Sequence, residues 1–166
     1  MALIEYAAGM KKQFTATGYV VNHDSTRMLM IFHRGLQRWL PPGGHVDPDE
    51  FPGDAALREV FEETGVRARH AGEDPLDLKV NDRAETQLPT PFAMAAQLIP
   101  ESAKDIEHIH MDMMYLLTAD DGDRIRAAED EVSGLGWFSR DQVLEELDTV
   151  DSVRAFARQR LRAEEA

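Results

Sequence analysis

The sequence predicts an α/β fold with one sheet held between helices, and three strand segments and a helix carry that prediction. Glu107 to Leu117 shows period-2 alternation, with Ile109, Met111, Met113, Tyr115 and Leu117 on one face and His108, His110 and Asp112 on the other. Phe14 to Asn22 is rich in threonine, valine and aromatic residues, and Met28 to His33 is a short apolar run; both read as strands. Between these strands and the alternating segment lies a helix from about Gly53 to Thr64. Pro52 opens it and Gly65 stands just past its end, the usual placement of the two residue types.

The remaining elements follow in chain order. Asn22 to Thr26 is a turn, and Leu40 to Asp49 is a loop dominated by Pro41, Pro42, Gly43 and Gly44. Strand pieces are expected near Leu76 to Val80 and over Phe92 to Leu98. Thr118 to Ser133 is polar and reads as loop, followed by a short strand, Leu135 to Phe138. Ser139 with Gln142 three residues on is a capping box for a helix reaching about Leu147. A last helix begins near Asp151 and gathers Val153, Phe156, Ala157 and Leu161 on one face.

A length of 166 residues suits a single domain spanning 1–166. The chain has no cysteine, which excludes disulfides and thiolate metal sites and fits a cytoplasmic setting. No apolar run approaches the roughly 20 residues of a membrane span, so no membrane partner is expected. The first residues include Glu5 and do not read as a signal peptide. A net charge of −13 repels phosphate backbones and argues against general nucleic-acid binding. It does not exclude a small anionic substrate, because bound divalent cations reverse the field locally.

The most informative segment runs from Gly44 to Val66. Glu59, Glu62 and Glu63 stand at i, i+3 and i+4 and so project from one face of the helix. Carboxylates packed this closely repel one another and raise each other's pKa, a conflict that a cation resolves. All-oxygen donors suit Mg²⁺ or Mn²⁺ rather than zinc. Taken alone, such a cluster is more often a solvated helix face than a metal site.

The surrounding pattern changes that balance. Gly44, Glu50 and then Arg58-Glu59-Val60-Phe61-Glu62-Glu63-Thr64-Gly65-Val66 resemble the Nudix box at every defined position, with both gaps at the family length. At roughly 5–10% usage per specified residue type, a chance match is far below one in a million. Trp39-Leu40-Pro41-Pro42-Gly43-Gly44-His45 and the Trp137-Phe138 strand are also similar to the family, so the resemblance spans Phe14 to Leu147.

That resemblance implies a Nudix-type αβα sandwich with a central mixed sheet and a loop–helix–loop catalytic motif. It implies a pyrophosphohydrolase that directs water at a phosphorus of a nucleoside diphosphate linked to another moiety. Glu59, Glu62 and Glu63 would hold Mg²⁺ or Mn²⁺, with the main-chain carbonyl of Gly43 as a further ligand. Arg58 and Glu50 would pair and steady the loop, with Gly44 and Gly65 as structural support. The resemblance leaves the general base open between Glu63 or Glu59 first and then Glu131, which lies ahead of the last strand beside Glu129 and Asp130. His108, His110 and Asp112 could line the substrate site or be a half-solvated strand face. Arg34 and Arg38 flank the box entry and could bind phosphate, though lone loop arginines are more often surface residues. Trp39 and Trp137 read as core.

Three other functions fit the sequence less well. An isoprenoid-diphosphate isomerase on the same fold uses a cysteine, which is absent here. A non-enzymatic nucleotide-sensing domain typically loses box residues, and this box is complete. A 5′-end RNA pyrophosphohydrolase is disfavoured by the acidic charge and the lack of a basic stripe. The partner expected is a small nucleotide derivative of open identity, and a homodimer stays open.

Overall fold

The computed structural model describes residues 2–72, 76–102, 105–122, 124–128 and 132–164. A one-turn helix, α1 (Leu3–Tyr6), precedes β1 (Lys12–Val21), β2 (Arg27–His33), β3 (Arg38–Leu40) and β4 (Gly43–His45). The box helix α2 (Pro52–Thr64) leads to β5 (Arg69–His70), β6 (Ala93–Ile99), β7 (His108–Thr118) and β8 (Val132–Ser139). A π-helical turn (Gln142–Glu146) and α3 (Asp151–Arg160) complete the described chain.

The sheet is mixed. β1 runs parallel to β7 in unbroken register from Lys12 opposite Ile109 to Val21 opposite Thr118. The other pairings are antiparallel: β6 and β5 on β7, β4 on β1, and β3 and β8 on β2. β1 and β2 meet at Val21 and Met28 and then diverge, and β4 lies beside the first half of β1. Alternation along β1 divides its side chains between two layers. Ala16 and Val20 pack with Ala55, Ala56 and Val60 of α2 and with Leu117. Tyr19 and Val21 pack with Val153, Phe156 and Ala157 of α3 and with Met28, Met30 and Met114. Helices on both faces of a mixed sheet make the sandwich that the sequence predicts.

Four local expectations are corrected. Leu76 to Val80 is not a strand; Leu76 and Leu78 are exposed, and the nearby pairing is an isolated bridge between Asn81 and Thr86. Its hydrophobic residues have no layer to cover, so periodicity there carries no sheet. The Leu40 to Asp49 stretch contains a strand despite its prolines and glycines, because Gly43–His45 finds backbone partners along β1. The last sheet strand begins inside the expected loop, at Val132. The capping box forms reciprocally, Ser139 N–H to Gln142 Oε1 at 3.0 Å and Gln142 N–H to Ser139 Oγ at 3.3 Å, but it opens a π turn rather than an α-helix. Trp39 packs against Phe32 and Phe138, with ring centroids 5.5 and 4.8 Å apart, as a core aromatic.

Candidate active site

A cavity of about 670 Å³ lies where β4, α2 and the α3 side of the sheet converge. One end is built by α2. Pro52 starts this helix, and Gly65 ends it in the left-handed conformation at φ 73°, donating to Phe61 C=O. The resulting frame aims Glu59, Glu62 and Glu63 at the cavity together with Arg58. Glu63 is only 3% exposed and accepts the Gly43 N–H at 2.9 Å. Arg58 is the hub. Its Nε and Nη2 grip both oxygens of Glu50 at 2.9 Å, its Nη1 reaches Glu59 and Glu62 at 2.8 and 2.9 Å, and Nη2 also donates to His45 C=O. The guanidinium holds the Glu50 carboxyl below the usual carboxylate range, and Glu50 in turn raises the Arg58 pKa further. Gly44 lies against Glu59: a Cβ there would come within 2.5 Å of its Oε1.

The other end is built by register. β7 alternation puts Asp112 on the α3 face, and the parallel pairing sets Thr15 directly beside it on β1. The Thr15 and Thr17 hydroxyls donate to Asp112 Oδ1 at 3.0 and 2.8 Å, and the Gln97 amide of β6 donates to Oδ2 at 3.2 Å. Asp112 is 2% exposed, and burial pushes its pKa up against the downward pull of those three donors. His110 also lines the cavity. Burial, then the neighbouring His45 and His108, lowers its pKa to about 4, so it is neutral at pH 7. His108 is buried outside that lining: its Nδ1 donates to Ile106 C=O at 2.6 Å, and its Nε2 lies 3.1 Å from His110 Nε2.

A family model for the NUDIX domain matches residues 12–159. The chain belongs to the Nudix family. Among curated proteins it is similar to diphosphoinositol polyphosphate phosphohydrolase 3-beta of Bos taurus, 39% identical over 61 residues, and to the 3-alpha protein of Homo sapiens, 38% identical over 61 residues. Each match covers 37% of this chain and 37% of the relative, so the chain spans little more than a third of the curated relatives it matches. Among solved structures it resembles a NUDIX-family hydrolase from Clostridium perfringens, with TM-score 0.71 and 22% identity over 89% of this chain and 95% of that one. A C. elegans Ap4A hydrolase shares the fold at TM-score 0.61 and 15% identity, covering 88% and 93% of the two chains. An E. coli dihydroneopterin triphosphate pyrophosphohydrolase does so at TM-score 0.60 and 19% identity, covering 88% and 92%.

Nudix hydrolases generally need divalent metal ions, and the Nudix helix of this chain offers a fitting donor set. Three carboxylates of one helix face and the Gly43–Gly44 backbone meet at one cavity end, and the cradle that a Cβ at Gly44 would fill keeps Glu59 there. All the donors are oxygens, the set hard divalent cations prefer. As placed, Glu59 and Glu62 share the Arg58 guanidinium and Glu63 takes a backbone N–H; no preformed cage of three such ligands occurs among the described residues.

The other expected residues fall in different places. Arg38 pairs at the surface with Asp148 at 3.8 Å, and neither it nor Arg34 belongs to the cavity lining. Glu131, with Glu129 and Asp130, lies outside the described residues. Sequence reasoning missed Thr15, Thr17 and Gln97. Their signal was present as alternation, but it points nowhere until strand pairing is known.

Proposed function

We propose that this chain is a divalent-metal-dependent pyrophosphohydrolase, cleaving the diphosphate bond of a nucleoside diphosphate joined to another moiety by water attack at phosphorus. The observation that carries this reading is the convergence of Glu59, Glu62, Glu63 and Gly43 on one end of the cavity. In it, Glu59, Glu62, Glu63 and the Gly43 carbonyl hold Mg²⁺ or Mn²⁺. Bound there, the ion supplies phosphate charge neutralisation and a lowered pKa for water. Glu63 or Glu59 accepts the proton of the attacking water, with Glu131 the candidate carried from the sequence. Arg58 and Glu50 orient Glu59 and Glu62, and buried Glu63 is oriented by the Gly43 N–H. Gly65 ends the helix so that its last turn keeps that aim.

A single Nudix domain acting in the cytoplasm on a small nucleotide derivative is part of the same proposal. No helix of the described chain is long and apolar enough to cross a membrane. The test is a panel of nucleoside diphosphate derivatives with Mg²⁺, Mn²⁺ or excess EDTA, with both products resolved. Cleavage of at least one compound, abolished by EDTA, is expected. Full activity in EDTA, or inert behaviour across the panel with metal, overturns it.

A further inference from the structure

The curated relatives are named for diphosphoinositol polyphosphates, whose ring carries a phosphate-rich periphery. Each phosphate monoester brings about −1.5 to −2 charges at neutral pH and asks for arginine or lysine partners. Among the described residues lining the cavity of this chain, Arg58 is the sole arginine or lysine, and it is already engaged by Glu50, Glu59 and Glu62. The end remote from the box helix offers hydroxyls, an amide, one buried carboxyl and the neutral imidazole of His110 on the polar side. On the apolar side it offers Ile31, Leu40, Val150 and Val153. The aligned 61 residues cover too little of the chain to carry a relative's substrate across.

The hydrogen bonds of Asp112 define what this end can read. Oδ1 is filled by the hydroxyls of Thr15 and Thr17, one for each lone pair. Among the described residues Oδ2 receives only the Gln97 amide, which leaves it capacity for one further bond. A polyol would leave the apolar walls without a partner, whereas a flat heterocycle covers them with its faces and offers its polar edge to Asp112.

Resting on the hydrolase reading above, we infer that Asp112, with Gln97, is the specificity determinant of an uncharged head-group subsite. It seats a nucleobase by an N–H on the base edge, and it excludes the polyphosphorylated ring of the curated relatives. Thr15 and Thr17 are positioning residues, holding the carboxyl so that Oδ2 faces the ligand.

The experiment separates binding from hydrolysis. Guanosine, adenosine, cytidine and uridine are titrated in EDTA and followed by saturation-transfer NMR, against wild type, Asp112→Asn and Gln97→Leu. Wild type is expected to bind at least one nucleoside at millimolar concentration. Asp112→Asn turns an acceptor into an N–H donor at the cavity, so affinity for the bound base should fall roughly tenfold or more. The preference should also move toward bases presenting an acceptor there, a switch that a purely structural role would not produce. Gln97→Leu, on an edge strand, serves if Asp112→Asn does not fold, and it should weaken the same nucleoside. With metal added, diphosphoinositol pentakisphosphate should be cleaved at least 100-fold less efficiently than the best nucleotide substrate. No nucleoside binding by wild type, unchanged affinity and preference in whichever variant folds, or equal cleavage of the inositol compound overturns the inference. Nucleoside binding without any hydrolysis would instead sink the hydrolase reading and leave the subsite standing. Hydrolysis with no role for Asp112 or Gln97 would do the reverse.

Discussion

The two ends of the cavity are built by opposite means. The α2 end is local: Glu59, Glu62, Glu63 and Arg58 fall within six consecutive positions, and Glu50 lies eight residues before Arg58. The β7 end is assembled from Thr15, Thr17, Gln97 and Asp112, with bonded partners up to 97 positions apart in the chain. One end concentrates charge and answers it with a guanidinium. The other buries a single carboxyl among neutral donors. Chemistry that needs several like charges together is easily made on one helix face. Recognition that needs a shaped neutral wall draws on neighbouring strands.

The largest expected effect comes from breaking the charged end. Glu63→Gln keeps the shape and the Gly43 contact but removes a charge, and kcat should fall roughly 10²-fold or more. Circular dichroism should be unchanged, and wild-type turnover at limiting metal would contradict the role. Next is Gly44→Ala. Its Cβ would come within 2.5 Å of Glu59 Oε1 and turn that carboxylate aside. Turnover should drop roughly ten- to a hundredfold with the melting temperature nearly kept, since small misplacements near the chemistry are costly. An active Gly44→Ala enzyme would show that Glu59 does not need its present pose.

Arg58→Lys tests the brace rather than the ligands. Lysine cannot reproduce the two-pronged grip on Glu50 while also reaching Glu59 and Glu62. We expect a loss of about 1–3 kcal/mol in urea unfolding, together with lower activity. Stability equal to wild type would remove Arg58 from that role.

The smallest effect is a pH dependence. Arg58 lowers the folded pKa of Glu50, so its contribution is complete above the unfolded value of about 4.3 and is lost as pH falls through the folded value. Glu50→Gln should therefore narrow the stability gap between neutral and acid pH, by about 1 kcal/mol or less at this partly exposed site. Asp112 has the opposite sign. Its raised pKa favours folding below the unfolded value and loses that advantage as pH rises through the folded one. Asp112→Asn should flatten that opposing slope, and parallel slopes for the two variants would contradict the contrast between the ends.

The same contrast explains what the sequence disclosed. The Nudix helix, its flanking proline and glycine, and the facing of His110 and Asp112 were legible because each is a short-range pattern. Gly43–His45 was hidden because its glycines and prolines signal loop, and only the exposed edge of β1 makes them a strand. Thr15 and Thr17 look like ordinary strand residues until the parallel register with β7 sets them around Asp112. Arg34 and Arg38 had the right charge in a nearby loop, but β3 leaves Arg38 at the surface with Asp148.

The two ends are also joined by backbone. Thr17 bonds Asp112 through its hydroxyl and stands opposite Gly43 in the sheet, and Gly43 holds Glu63 by its N–H. On the proposal that Asp112 seats the head group and the box glutamates carry the hydrolysis, this hydrogen-bonded link sets the spacing between the two. Under that proposal, adding or removing one phosphate from a substrate would shift which phosphorus reaches the carboxylates, and the identity of the released product would read that length.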